Sequence, residues 1–109
     1  VPNTIDLDFD KASSEQSIAA IIAAMEPQEI EQLAIDVIIE QRRRLEITQG
    51  LYECLNAGHS QELSDMARQE LRYKYHLALI QMKAHHALVA TVLHTLGYVP
   101  KVPGDDATH

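Results

Sequence analysis

The sequence holds one cysteine, one phenylalanine, no tryptophan, four glycines and four prolines in 109 residues. The single cysteine, Cys54, excludes an internal disulfide framework and a cysteine-based zinc site, and it suits a reducing cytosol. So few glycines and prolines exclude a loop-rich or proline-rich disordered chain. Aromatics are only 5% while alanine is frequent, which disfavours a β-sandwich or barrel and favours helix. The longest apolar run, Ile18 to Met25, is eight residues, against the roughly 20 that a membrane-spanning helix needs. The acidic start lacks the basic stretch that opens a signal peptide, so a cytoplasmic location and no membrane partner are expected. Cations are also scarce: 9 Lys and Arg against 16 Asp and Glu leave a formal net charge of −7. Phosphate contacts need a basic surface, so this balance argues against direct nucleic-acid binding by charge alone.

What is present is helical patterning in a chain of single-domain length. The charge is uneven: residues 1–40 carry nine acids and one base, Lys11, while residues 41–101 carry five acids and eight bases. Residues 1–12 lack helical period, with Asp6, Asp8 and Asp10 alternating with Ile5, Leu7 and Phe9. With no second strand to pair with, they are expected to form a flexible acidic arm. Ser13 and Gln16 read as a capping box for a short helix ending near Met25, with Ile18, Ile21, Ile22 and Met25 on one face. Glu26-Pro27 stops that helix, and Pro27 suits the first turn of the next.

From Pro27 to about Asn56, Ile30, Leu33, Ala34, Val37, Ile38, Leu45, Leu51, Tyr52 and Leu55 keep helical spacing, with Gly50 the weak point. Gly58 is placed to cap that helix and Ser60 to cap the next. A second long helix is expected from about Gln61 to Leu96. Its stripe is Leu63, Leu71, Tyr75, Ala78, Met82, His86, Val89, Leu93 and Leu96, and Gly97 and Pro100 follow as stop signals. The single helical domain thus spans 13–102, and 103–109 are expected to be a disordered tail.

A helix from 61 to 96 is about 54 Å long at 1.5 Å per residue. A compact chain of this length has a radius of gyration near 13 Å. The two long helices therefore pair as an antiparallel αα-hairpin across their short linker. A second apolar edge, Ile35 and Ile39 on one helix and Leu77, Ala84 and Leu88 on the other, is too wide for a hairpin to bury. A second subunit can bury it, so the expected architecture is all-α, dimerising into a four-helix-type bundle. The expected dimer or core positions are Ile35, Ile38, Leu45, Leu51, Tyr52, Leu55, Tyr75, Met82, Val89, Leu93 and Leu96. The alternative is a monomeric three-helix bundle with bent helices.

No constellation for catalysis stands out, and no enzymatic activity, metal or cofactor is expected. Arg42, Arg43 and Arg44 point about 100° apart on a helix and read as a solvated face laced by pairs such as Glu40 to Arg44. His85, His86 and His94 lack zinc spacing, and His86 reads as a packed core histidine. Cys54 reads as a buried thiol near the apolar stripe. No glycine-rich phosphate loop or G-x-S-x-G is present. Ile35-Asp36 superficially resembles the all-helical chorismate mutases, but no Arg or Lys lies between Lys11 and Arg42 to grip a dicarboxylate.

Ile35-Asp36-Val37-Ile38, Arg42-Arg43 and Leu51-Tyr52 with Leu55 resemble the first long helix of the TraM quorum-sensing antiactivators. Tyr75, Met82 and Leu96-Gly97-Tyr98-Val99-Pro100-Lys101-Val102 resemble the second helix and the segment after it. The resemblance spans about residues 18–102 and implies a non-enzymatic all-α homodimer. It implies further that the protein binds TraR, a LuxR-type activator, keeps it from promoter DNA, and so holds plasmid conjugation genes off. Tyr98, Val99, Pro100 and Lys101 are the candidate partner contacts, because they lie past the helix end. The competing reading folds Tyr98 and Val99 back as a cap on the bundle end. A small DNA-binding regulator and a mutase-like enzyme remain as other readings of the chain.

Overall fold

The computed structural model describes residues 17–57 and 62–104. Three helices make up the fold: α1 (Ile18–Ala23), α2 (Pro27–Asn56) and α3 (Asp65–Leu96). No strand occurs among the described residues. The all-α expectation therefore holds, with a short helix ahead of two long ones.

Local chemistry sets each boundary. Ser17 caps α1, its hydroxyl accepting from the Ala20 N–H at 3.1 Å. The expected box at Ser13 and Gln16 lies outside the described residues. Pro27 opens α2 as expected, and the Glu29 carboxylate accepts from the Glu26 N–H at 3.1 Å. The start of α3 corrects the sequence expectation: it begins at Asp65, with Ser64 rather than Ser60 as N-cap. The Ser64 hydroxyl accepts from the Ala67 N–H at 3.1 Å. Gly97 ends α3 in the left-handed region, φ +92°, and its N–H donates to the Leu93 carbonyl at 2.8 Å. The expected cap at Gly58, residues 1–12 and residues 105–109 lie outside the described residues.

Side-chain partners run in opposite order along α2 and α3: Glu31 meets Tyr98, Val37 meets His85, and Tyr52 meets Tyr75. The pair is thus antiparallel. The radius of gyration is 18.6 Å, well above the roughly 13 Å of a compact chain this long.

The core is confined to one end of the hairpin. Ile22 of α1 packs with Ile30, Ala34 and Val37 of α2 and Val89 and Val92 of α3. Pro100 and Val102 are also buried, so the segment after α3 folds back toward the fold. Ile18 lines a depression with Arg44 and Gln81, whereas Ile22 reaches Ile30 and Ala34. Helix α1 therefore runs antiparallel to α2, its N-terminus at mid-hairpin. Toward the linker the burial gives out, and Leu45, Ile47, Tyr52, Tyr73, Leu77 and Ile80 are exposed.

Candidate protein-interaction surfaces

One side of the hairpin carries an apolar groove. Its first section is a cavity of about 440 Å³, floored by Ile38, Leu45, Met82 and Val89 and rimmed by Arg42, Lys83 and His86. The next section, about 310 Å³, shares Leu45 and Met82 and continues over Tyr52, Tyr75 and Leu79. Helical spacing explains the continuity. Ile38, Leu45 and Tyr52 recur every seven residues on α2, as do Tyr75, Met82 and Val89 on α3. All six are among the expected dimer or core positions. Tyr52 and Tyr75 meet across the seam at 5.9 Å between ring centroids, tilted by 47°.

The other expected positions fall away from this groove. Ile35, Leu51, Leu55, Leu93 and Leu96 are half-buried. Within the single chain Leu45 and Tyr52 are exposed, at 48% and 49%.

Two expectations from the apolar stripe are corrected. His86 is exposed on the groove rim and is not a packed core residue. Cys54 is exposed and is not a buried thiol. The histidine that enters the seam is His85, half-buried, its Nε2 2.9 Å from the Val37 carbonyl oxygen. Polar residues also occupy the seam. Thr48 is buried and donates to the Arg44 carbonyl at 2.8 Å. Gln41 is buried with its Oε1 unpartnered. These two break the apolar pattern from which a seam is read.

The arginine run is laced as the spacing predicts. Glu40 accepts two hydrogen bonds from Arg43, at 3.0 and 2.7 Å. Its Oε2 also lies 2.9 Å from Arg44 Nε, close enough for an ion pair but off-line for a hydrogen bond. The Arg43 hydrogen bond, with the Arg43 and Arg44 charges, holds the Glu40 carboxyl below its usual range. Among the described residues, no three His, Cys, Asp or Glu side chains come together in a way that could hold a metal ion.

The segment after α3 divides the candidate partner contacts. Val99 is 70% exposed and Lys101 is exposed, whereas Pro100 and Val102 turn inward. The Tyr98 ring is half-exposed, and its hydroxyl donates to Glu31 Oε1 at 2.8 Å. Tyr98 is therefore both tied to α2 and open to a partner. Among Tyr98, Val99 and Pro100, Val99 is the most exposed. No helix among the described residues is long and apolar enough to cross a membrane.

A protein-family profile described as "Prokaryotic Transcriptional repressor TraM" matches residues 3–101. No solved structure matches the chain.

Proposed function

Because the chain belongs to the TraM family of prokaryotic transcriptional repressors, a non-enzymatic class, we propose that it represses by binding an activator protein and not by binding DNA. The activator in this reading is TraR, of LuxR type. Its capture keeps it from promoter DNA and holds plasmid conjugal transfer genes off in the cytoplasm. The observation that carries the reading is an exposed groove of large apolar side chains, Leu45 and Tyr52 among them, on a chain of net charge −7. DNA phosphates call for a basic surface, whereas an activator's own DNA-binding domain supplies one. Acidic residues steer the encounter and apolar anchors give it lifetime.

In this proposal the groove through Leu45, Tyr52 and Met82 is closed by a second copy, giving a homodimer with a four-helix core. Tyr98, Val99 and Lys101 are the partner contacts, and Pro100 holds their backbone in place from below. The test is a gel shift in which signal-loaded TraR is bound to its promoter and this protein is titrated in, beside a lane of this protein with DNA alone. Loss of the TraR–DNA band with no shift in the control lane is the expected result. TraR remaining on DNA at large excess of this protein overturns the proposal. A shift in the control lane would instead favour a DNA-binding regulator.

A further inference from the structure

The apolar groove has charged walls, and the charges are sorted by helix. On α2 the outer wall is acidic toward the linker: Glu46 and Glu53 line a depression with Leu45 and Gly50. On α3 the outer wall is basic. Lys83 and His86 stand on the rim of the first section. Arg72 falls in one row with Leu79 and His86, at steps of seven residues. Among the described residues, Glu46, Arg72 and Lys83 make no ion pair. Glu53 accepts from the Gln49 side-chain amide at 3.3 Å. The contacts of Val37 with His85 and of Tyr52 with Tyr75 set the levels of the two helices. At 1.5 Å per residue, Glu46 stands about one turn from the level of Lys83, and Glu53 within one turn of Arg72.

We propose that the second copy lies on the groove with its hairpin pointing the same way, so that α2 of each chain rests on α3 of the other. Glu46 and Glu53 of one chain then face the partner's Lys83 and the partner's Arg72. The proposal rests on the reading that a second copy closes the groove, and it adds the direction. Two twofold arrangements bring groove onto groove. With the axis along the hairpin, unlike helices stack and the acidic wall meets the basic one. With the axis across the hairpin, like helices stack. Leu45 and Met82 line both sections of the groove and so mark its middle, where that axis would pass. Glu46 would then meet the partner's Glu46, and Lys83 the partner's Lys83, each one residue from the axis. Rim charges add little affinity, but they penalise a docking that sets like charges side by side. The direction also bears on function. Both three-helix cores come to one end of the dimer, and with them both copies of Tyr98, Val99 and Lys101. One partner can then meet both segments at once.

Crosslinking of the full chain reads the direction. With the lone thiol removed by Cys54→Ser, Glu46→Cys and Lys83→Cys are each treated with a short bismaleimide, alone and mixed after subunit exchange. The mixture is expected to give a crosslinked dimer and neither variant alone to do so. Crosslinking of Glu46→Cys to itself, or of Lys83→Cys to itself, overturns the direction and leaves the groove dimer standing. So does a mixture that sediments as a dimer yet yields no crosslink. Charge reversal gives a second, independent readout. Glu46→Lys/Glu53→Lys turns four attractive rim contacts repulsive, and the dimer dissociation constant is expected to rise about tenfold or more. Adding Arg72→Glu/Lys83→Glu to the same chain is expected to restore it. If like walls met, reversing the α2 charges alone would leave the dissociation constant where it was, and that result also overturns the direction. Sedimentation of the natural chain separates the two levels: a monomer at every concentration overturns the dimer reading itself, and this proposal with it.

Discussion

Tyr98 joins the segment after α3 to α2 through one hydroxyl, and the bond makes that tie dependent on pH. The hydrogen bond to Glu31 comes first, with burial and the Glu31 charge behind it; all three raise the Tyr98 pKa above the usual value of about 10. A raised folded-state pKa means the neutral phenol is the form the fold favours. The contribution is complete below the unfolded tyrosine value and is lost as pH rises through the higher folded one. Alkaline titration followed by tyrosinate absorbance is expected to show a late step that disappears in Tyr98→Phe. If Tyr98 is a partner contact and not merely a cap, the same variant weakens TraR capture at neutral pH while the melting temperature changes little. A second prediction at this scale concerns Cys54. Its exposure means a thiol reagent modifies it in the folded protein as readily as in urea, whereas a buried thiol would react only on unfolding. A stripe of apolar spacing could not settle this. Over a helix of 30 residues, positions at i+3 and i+4 sweep a broad arc, and Cys54 lies on the flank of that arc, outside the seam.

The helices themselves were legible where their ends are marked by residues with a steric reason. Pro27 starts α2 and Gly97 stops α3, because one lacks an N–H and the other tolerates positive φ. The start of α3 was less legible, since Ser60 and Ser64 carry the same capping chemistry and spacing alone does not choose between them. The seam was less legible still. Two apolar arcs run along α2, through Ile30, Ala34 and Val37 and through Ile38, Leu45 and Tyr52, and the buried Gln41 and Thr48 hide the first one's continuation. The two glycines give opposed predictions for one substitution. Gly97→Ala places a Cβ at φ +92°, where the backbone resists it by about 1–2 kcal/mol even though the space around it is open. Gly50→Ala sits mid-helix with nothing within 4 Å of the added Cβ, so it stabilises by about 1 kcal/mol. Thermal melts followed by circular dichroism should therefore move down for the first and up for the second.

At the scale of the molecule, the apolar burial is lopsided. The end near Pro27 and Leu96 has a core of three helices and the returning segment, while the linker half has two helices only. Such a hairpin leaves Leu45 at 48% exposure beside Met82, on a groove whose apolar residues repeat every seven positions on both walls. A seven-residue repeat on both helices is the spacing at which side chains of a second pair interlock, which is why a second copy answers the groove better than a small ligand does. Leu45→Glu tests it, because the two outcomes differ in kind. If the groove faced water, a charge on an exposed position would change stability by no more than about 0.5 kcal/mol. If a second copy covers it, the dimer traps an unpaired carboxylate at its centre, at a cost of about 3–5 kcal/mol. That is two to three decades or more in the dissociation constant. Sedimentation at micromolar concentration is expected to show a dimer for the natural chain and a monomer for Leu45→Glu. The total helical circular dichroism should be largely retained, since the core around Ile22, Val37 and Val92 lies at the other end. A variant that still sediments as a dimer would move the contact away from the groove.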